Sequence, residues 1–230
     1  MLKLIKLEIK KFKLFNYYKG VLIANLGFIA FLSMIYFLER NDGNIPFENF
    51  EMAMNISSAA IRTTFIIFAA VLIVKLIIDE YKSKSIEIMF TYPIGRKKIL
   101  TAKLMIVVAF TFIMVMSSTS LMAGLLYFAE AQFDIFPVEL SFQDIVRNVY
   151  VNFFYALATA GLSLIPLLFG MRRKSAVATI VSAIFLATVT STTSDNINLF
   201  SIIAIPVSLG VFGILIGYLA ISKIEQVDVI

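Results

Sequence analysis

The chain has 230 residues, 60% hydrophobic and 15% charged, with a formal net charge of +5 at neutral pH and a mean hydropathy of +0.92. A globular domain usually carries about 25% charged residues, so this composition excludes a sizeable soluble domain and points to an integral membrane protein. Cysteine and histidine are absent, which excludes a disulfide framework, thiolate or imidazole metal sites and Ser-His nucleophilic chemistry.

The first 19 residues form a basic amphipathic segment. Lys3, Lys6, Lys10 and Lys13 draw one stripe down a helix, while Leu2, Ile5, Ile9 and Phe12 draw an apolar stripe on another side. Such a helix lies in the membrane interface with its lysines toward anionic headgroups. An ordinary positive flank to the first span is the simpler alternative, and the two are compatible. Lysines interrupting the apolar residues every three or four positions do not fit a cleaved leader.

Apolar runs then predict six transmembrane helices, at about 20–38, 59–78, 100–128, 146–169, 176–193 and 199–221. Turn signals mark the first outer loop, with Asn41-Asp42-Gly43 followed by Pro46. Of the 20 lysines and arginines, all but Arg40, Arg62 and Arg147 fall on the side of the N-terminus, whereas most acids fall on the other. The positive-inside rule therefore puts both termini in the cytoplasm. The expectation is a single all-α integral membrane domain over residues 1–230, multi-pass in the cytoplasmic membrane, with the lipid bilayer as a partner and no nucleic acid.

Two arginines lie near the outer ends of spans two and four. Arg62 and Arg147 read as interfacial anchors before substrate contacts, and Lys75 at the inner end of span two reads the same way. Asp144 precedes Arg147 by three residues, a helical spacing that lets the two neutralise each other. Pro166 and Pro206 are expected to bend spans four and six. Span five, rich in Ala, Ser and Thr, reads as a tightly packed interior helix before a substrate-lining one. Gly213 and Gly217 form a G-x-x-x-G that signals local packing.

The polar segment 79–99 between spans two and three is longer than a plain connector needs. Ser83 suits an N-cap for a short helix over 83–90, which puts Ile86, Met89 and Phe90 on one face and Lys84 and Glu87 elsewhere. Pro93 and Gly95 stop that helix, and Arg96-Lys97-Lys98 restart the chain into span three. Met and Phe on one face suit docking into a protein groove. Periodicity alone leaves lipid headgroups as an equal alternative.

The order Glu80, Lys84-Ser85, an apolar stretch, Pro93, Arg96 and Lys103 resembles the cytoplasmic signature of ABC-2 type transporter permeases. Lys84 departs from the glycine that many members carry. The resemblance extends to chain length, the basic interfacial helix and the six-span layout. It implies that 79–99 is a coupling segment seated in a cleft of a separate ABC ATPase, with Glu80, Ser83, Lys84, Ser85, Ile86, Glu87, Met89, Phe90, Pro93 and Arg96 as docking residues. It further implies two ATPase copies carrying ATP and Mg, a second permease that is identical or similar, and no cofactor or catalytic residue in this chain. No G-x-x-x-x-G-K-[ST] motif occurs in the sequence, consistent with nucleotide binding elsewhere.

The function this implies is ATP-driven export. The acidic outer face suits a cationic cargo such as an antimicrobial peptide or another amphipathic compound. A self-contained secondary carrier is the alternative, but it calls for carboxylates near the bilayer midplane. A membrane enzyme of lipid metabolism calls for clustered acids or histidines, and a non-transporting sensor or scaffold stays open.

Overall fold

A computed structural model describes residues 2–12, 17–43, 45–47, 49–82, 96–133, 135–137, 142–191, 193–194, 197–198 and 204–222. Apart from one two-residue antiparallel ladder, these residues form a helical bundle. Helix α1 (Leu2–Lys11) is short, and α2 (Tyr17–Asn41), α3 (Phe50–Lys82) and α4 (Arg96–Phe133) are long. After them come α5 (Phe142–Leu162), α6 (Ile165–Arg173), α7 (Ala176–Ser191) and α8 (Ala204–Ser222). The ladder, β1 (Thr193–Ser194) with β2 (Ile197–Asn198), links α7 to α8.

Among the described residues, four segments are long and apolar enough to cross a membrane, by length and composition: α2, α3, α4, and the run Val146–Arg173 made of α5 and α6. The apolar helices α7 and α8 are shorter. Four of the six expected spans thus reach that length among the described residues, and the fifth and sixth correspond to the shorter α7 and α8.

In helix α1, half-buried Ile5, Ile9 and Phe12 pack against a core of Leu72, Leu76, Ile77, Leu100, Leu104 and Leu167, while Lys3, Lys6 and Lys10 stay exposed. Lys13 lies outside the described residues. The same core holds Met171 and Ala176, so the basic α6–α7 turn sits at the same end of the bundle as α1.

Helix α2 buries Val21, Asn25, Phe28 and Leu32, a narrow heptad-like seam, and leaves Ile23, Leu26, Met34 and Phe37 exposed. It ends where Gly43 adopts a left-handed backbone (φ +76°), and its amide donates to the Arg40 carbonyl at 3.3 Å. Only glycine enters that region without a steric penalty.

Helix α3 starts well before the expected position near residue 59. Asn49 caps it by accepting from the Met52 amide at 2.8 Å, and Ser57 returns its hydroxyl to the Ala53 carbonyl at 2.6 Å. These local bonds satisfy the polar side chains that lower the hydropathy of the first turns. Phe47 and Phe50 pack on Phe136, joining the two loops at the end of the bundle away from α1.

The fourth expected span is broken at Ser163-Leu164. Pro166 does not bend a continuous helix but occupies the first turn of α6, where a missing amide costs nothing. Just before the break, α5 and α8 touch through backbone. A Cβ built on Gly210 would lie 2.8 Å from the Ala158 Cα, and Cβ atoms on Gly161 and Gly213 would overlap the opposite main chain more closely still. The sequence motif Gly213-x-x-x-Gly217 contributes only its first member to this crossing, since Gly217 faces Leu164 and Leu104 side chains.

Helix α7 buries Thr179, Ala183, Ala187 and Thr190 and sets Ala183 and Ala187 against Ile66 and Ala70 of α3. Its other face exposes Val177, Val181 and Phe185. It is therefore half-buried, not the interior helix its small residues suggested. Thr179, Ser182, Thr188 and Thr190 bond back to carbonyls of the preceding turn. Ser191 shares a hydrogen bond with Thr63 of α3.

Candidate functional site

Lys103 sits two turns into α4 and is fully buried. Its ammonium donates to the Leu76 carbonyl at 2.7 Å and to the Glu80 carboxylate, and lies 3.7 Å from Glu8 Oε2. Glu80, itself buried in the last turn of α3, also accepts from Lys11 of α1 at 2.8 Å. Among the described residues, two acids and two bases from three helices thus form one cluster. The Phe12 ring lies 5.0 Å from the Lys11 ammonium and 5.4 Å from that of Lys103, and covers both.

The helix geometry here is unusual. From Val74 to Ile78, α3 is a π-helix, and the Asp79 amide reaches back five residues to the Val74 carbonyl. The Leu76 carbonyl that Lys103 binds belongs to this widened turn. Burial of paired charges contributes little net stability, but removing one partner typically costs about 3–5 kcal/mol. The cluster therefore specifies how α1, α3 and α4 register with one another.

Of the residues predicted from the signature, the structure joins Glu80 directly to Lys103. Arg96 begins α4. Ser83, Lys84, Ser85, Ile86, Glu87, Met89, Phe90 and Pro93 lie outside the described residues. Glu8 and the π-helical turn were missed by sequence reasoning. Glu8 did carry a signal: it is the one acid among the first 19 residues and falls at helical spacing with Ile5, Ile9 and Phe12, on the face that turns inward.

A second polar group lies within the bundle. Arg62 is 7% exposed, twelve residues into α3, with its guanidinium 5.9 Å from the Tyr155 ring of α5. Because α3 starts early, Arg62 stands well inside the helix, and it is a buried side chain, not the interfacial anchor expected. Arg147 does behave as a surface residue. It is exposed and meets Glu51 of α3 at 4.0 Å; the side chain of Asp144, its expected partner, lies outside the described residues. Lys75 is exposed and stacks over Tyr17 at 5.3 Å.

The sequence profile of ABC-2 family transporter proteins matches residues 4–190, a stretch that includes the whole junction. The chain belongs to the ABC-2 family. The uncharacterized protein YcbO of Bacillus subtilis (strain 168) is 40% identical to this ABC-2 protein over 227 residues, covering 99% of this chain and all of YcbO. No solved structure matches this chain. Membership makes the chain the membrane subunit of an ABC transporter and implies an ABC ATPase as its partner.

Proposed function

We propose that this ABC-2 protein is the permease of an ATP-driven exporter, and that the Glu8–Lys11–Glu80–Lys103 junction receives the motion of the ATPase. The observation that carries this reading is the buried junction itself. It binds together α1 and the two helix ends that flank segment 83–95, so a push on that segment reaches α3 and α4 at once.

In this reading the α1 end of the bundle faces the cytoplasm, in agreement with the exposed Lys3, Lys6 and Lys10 and the basic Arg172, Arg173 and Lys174 gathered there. Residues 83–91 dock in the ATPase, with Met89 and Phe90 as apolar anchors. Two such permeases, identical or similar, pair over two ATPase subunits that hold ATP and Mg. Binding of nucleotide then shifts the spans between two packed arrangements. The cargo is an amphipathic compound, with cationic antimicrobial peptides the best match to the acids Glu39, Asp42 and Glu51 at the opposite end. The biological role would be efflux of such a peptide.

Co-expression with candidate ABC ATPase subunits and affinity purification in detergent tests the partnership. The wild-type chain is expected to co-purify with an ATPase whose hydrolysis rate rises with cationic peptide. Met89→Asp combined with Phe90→Asp is expected to abolish co-purification. Association that survives the double change would overturn the docking assignment. A chain that transports in vesicles without any ATPase would instead be a secondary carrier.

A further inference from the structure

The π-helical turn lies just before the docking segment, where a change of helix register would reach it. We infer that Val74–Ile78 is a register switch locked by Lys103, and that release of the lysine lets α3 rewind to a regular α-helix. This rests on the coupling reading for its purpose, but not for its geometry.

A π-turn holds one more residue than an α-turn and often marks a functional site. Resorbing that extra residue rotates everything downstream by about 100° and moves it along the axis by about 1.5 Å. Downstream of the turn lie Asp79–Lys82 and then segment 83–95. The lysine holds both sides of the widened turn, since it binds the Leu76 carbonyl inside it and the Glu80 carboxylate just beyond it. Glu8 and Lys11 tie the same lock to α1.

The exposure pattern reports the register. Val71, Lys75 and Asp79 are exposed, four residues apart, whereas Ile78 is 1% exposed. In an uninterrupted α-helix at 100° per residue, position 78 would lie about 20° from position 71 and about 60° from position 75, and position 79 about 80° and about 40° from them. Rewinding therefore brings Ile78 out of the core to the edge of the exposed line, where it stands about as far from the line's centre as Asp79.

The chain has no cysteine, so single substitutions Ile78→Cys and Asp79→Cys can be compared in membrane vesicles with a membrane-impermeant maleimide. In the otherwise native chain, position 79 is expected to react at least about tenfold faster than position 78. Adding Lys103→Met is expected to bring the ratio close to one, without any ATPase present. An unchanged ratio in a monodisperse Lys103→Met protein overturns the switch. Where that variant does not fold, Glu80→Gln keeps the size of the side chain while weakening its hold on the lysine, and an unchanged ratio there overturns it equally. With a co-purified ATPase trapped by ATP and vanadate, the same fall in ratio is expected, and a constant ratio would remove the switch from the transport cycle. Failure of any ATPase to associate would sink the coupling reading while leaving the Lys103→Met result to decide the lock.

Discussion

Substituting Gly161 by alanine tests whether the backbone contact between α5 and α8 is as close as described. A Cβ there would stand 2.7 Å from the Gly210 carbonyl carbon and 2.8 Å from its Cα. Carbon atoms rest at about 3.5–4.0 Å, so the helices must part by about 1 Å. Neither atom belongs to a side chain that can swing aside. Overpacking of this kind costs up to about 3 kcal/mol, and alanine returns about 1 kcal/mol of helix propensity, leaving a net loss near 2 kcal/mol. At about 2–4 °C per kcal/mol for a chain of this length, the thermal midpoint should fall by about 4–8 °C. Circular dichroism melting in detergent reads this directly. Gly124 and Gly27 are the controls, because a Cβ at either meets nothing within 4 Å, and alanine there should leave the midpoint unchanged or slightly raised. A Gly161→Ala protein as stable as wild type, or a Gly124→Ala protein equally damaged, would refute the packing argument.

Lys103→Ala should cost about 3–5 kcal/mol by taking the buried cation from Glu8 and leaving Glu80 without its lysine from α4, and adding Glu8→Gln should recover part of it; additive losses would show that Glu8 and Lys103 do not act together. Gly170→Ala should destabilise because its Cβ would overlap the Thr179 hydroxyl, and Thr179→Ala in the same chain should relieve the loss, read as a coupling in a double-mutant melting cycle. Glu51→Gln should shift the midpoint by no more than a degree or two, since its pair with Arg147 is exposed and 4.0 Å long and such pairs contribute less than about 1 kcal/mol. Asn49→Ala should remove about 1 kcal/mol of capping from α3, seen as a lower midpoint than Asn41→Ala at the far end of the same loop.

Apolar runs located the membrane helices, because a bilayer demands long stretches without charge. They misplaced the start of α3, because hydropathy counts Ser57 and Asn49 as polar while local hydrogen bonds make them good helix residues. The break before Pro166 was misread as a bend, since proline fits the first turn of a new helix as well as the kink of an old one. Within the site, Glu80 and Lys103 were legible from the family signature. Glu8 was not, because the surrounding lysines drew attention to the outer face of α1. A π-turn has no residue signature in Val74-Lys75-Leu76-Ile77-Ile78, and it shows in the backbone, where the Asp79 amide reaches the Val74 carbonyl.

Helix α4 runs unbroken for 38 residues, about 57 Å at 1.5 Å per residue, nearly twice the hydrocarbon thickness of about 30 Å. It behaves as a lever spanning the whole protein, with Lys103 near one tip and Glu130, which accepts from the Phe136 amide at 2.9 Å, near the other. A tilt of only about 5° displaces one tip relative to the other by about 5 Å, a length comparable to one helical turn. The pair α5 and α6 has a joint at Ser163-Leu164, whereas α4 has none along its length. An angle set where Lys103 sits is therefore carried to the end near Glu130 by one continuous helix.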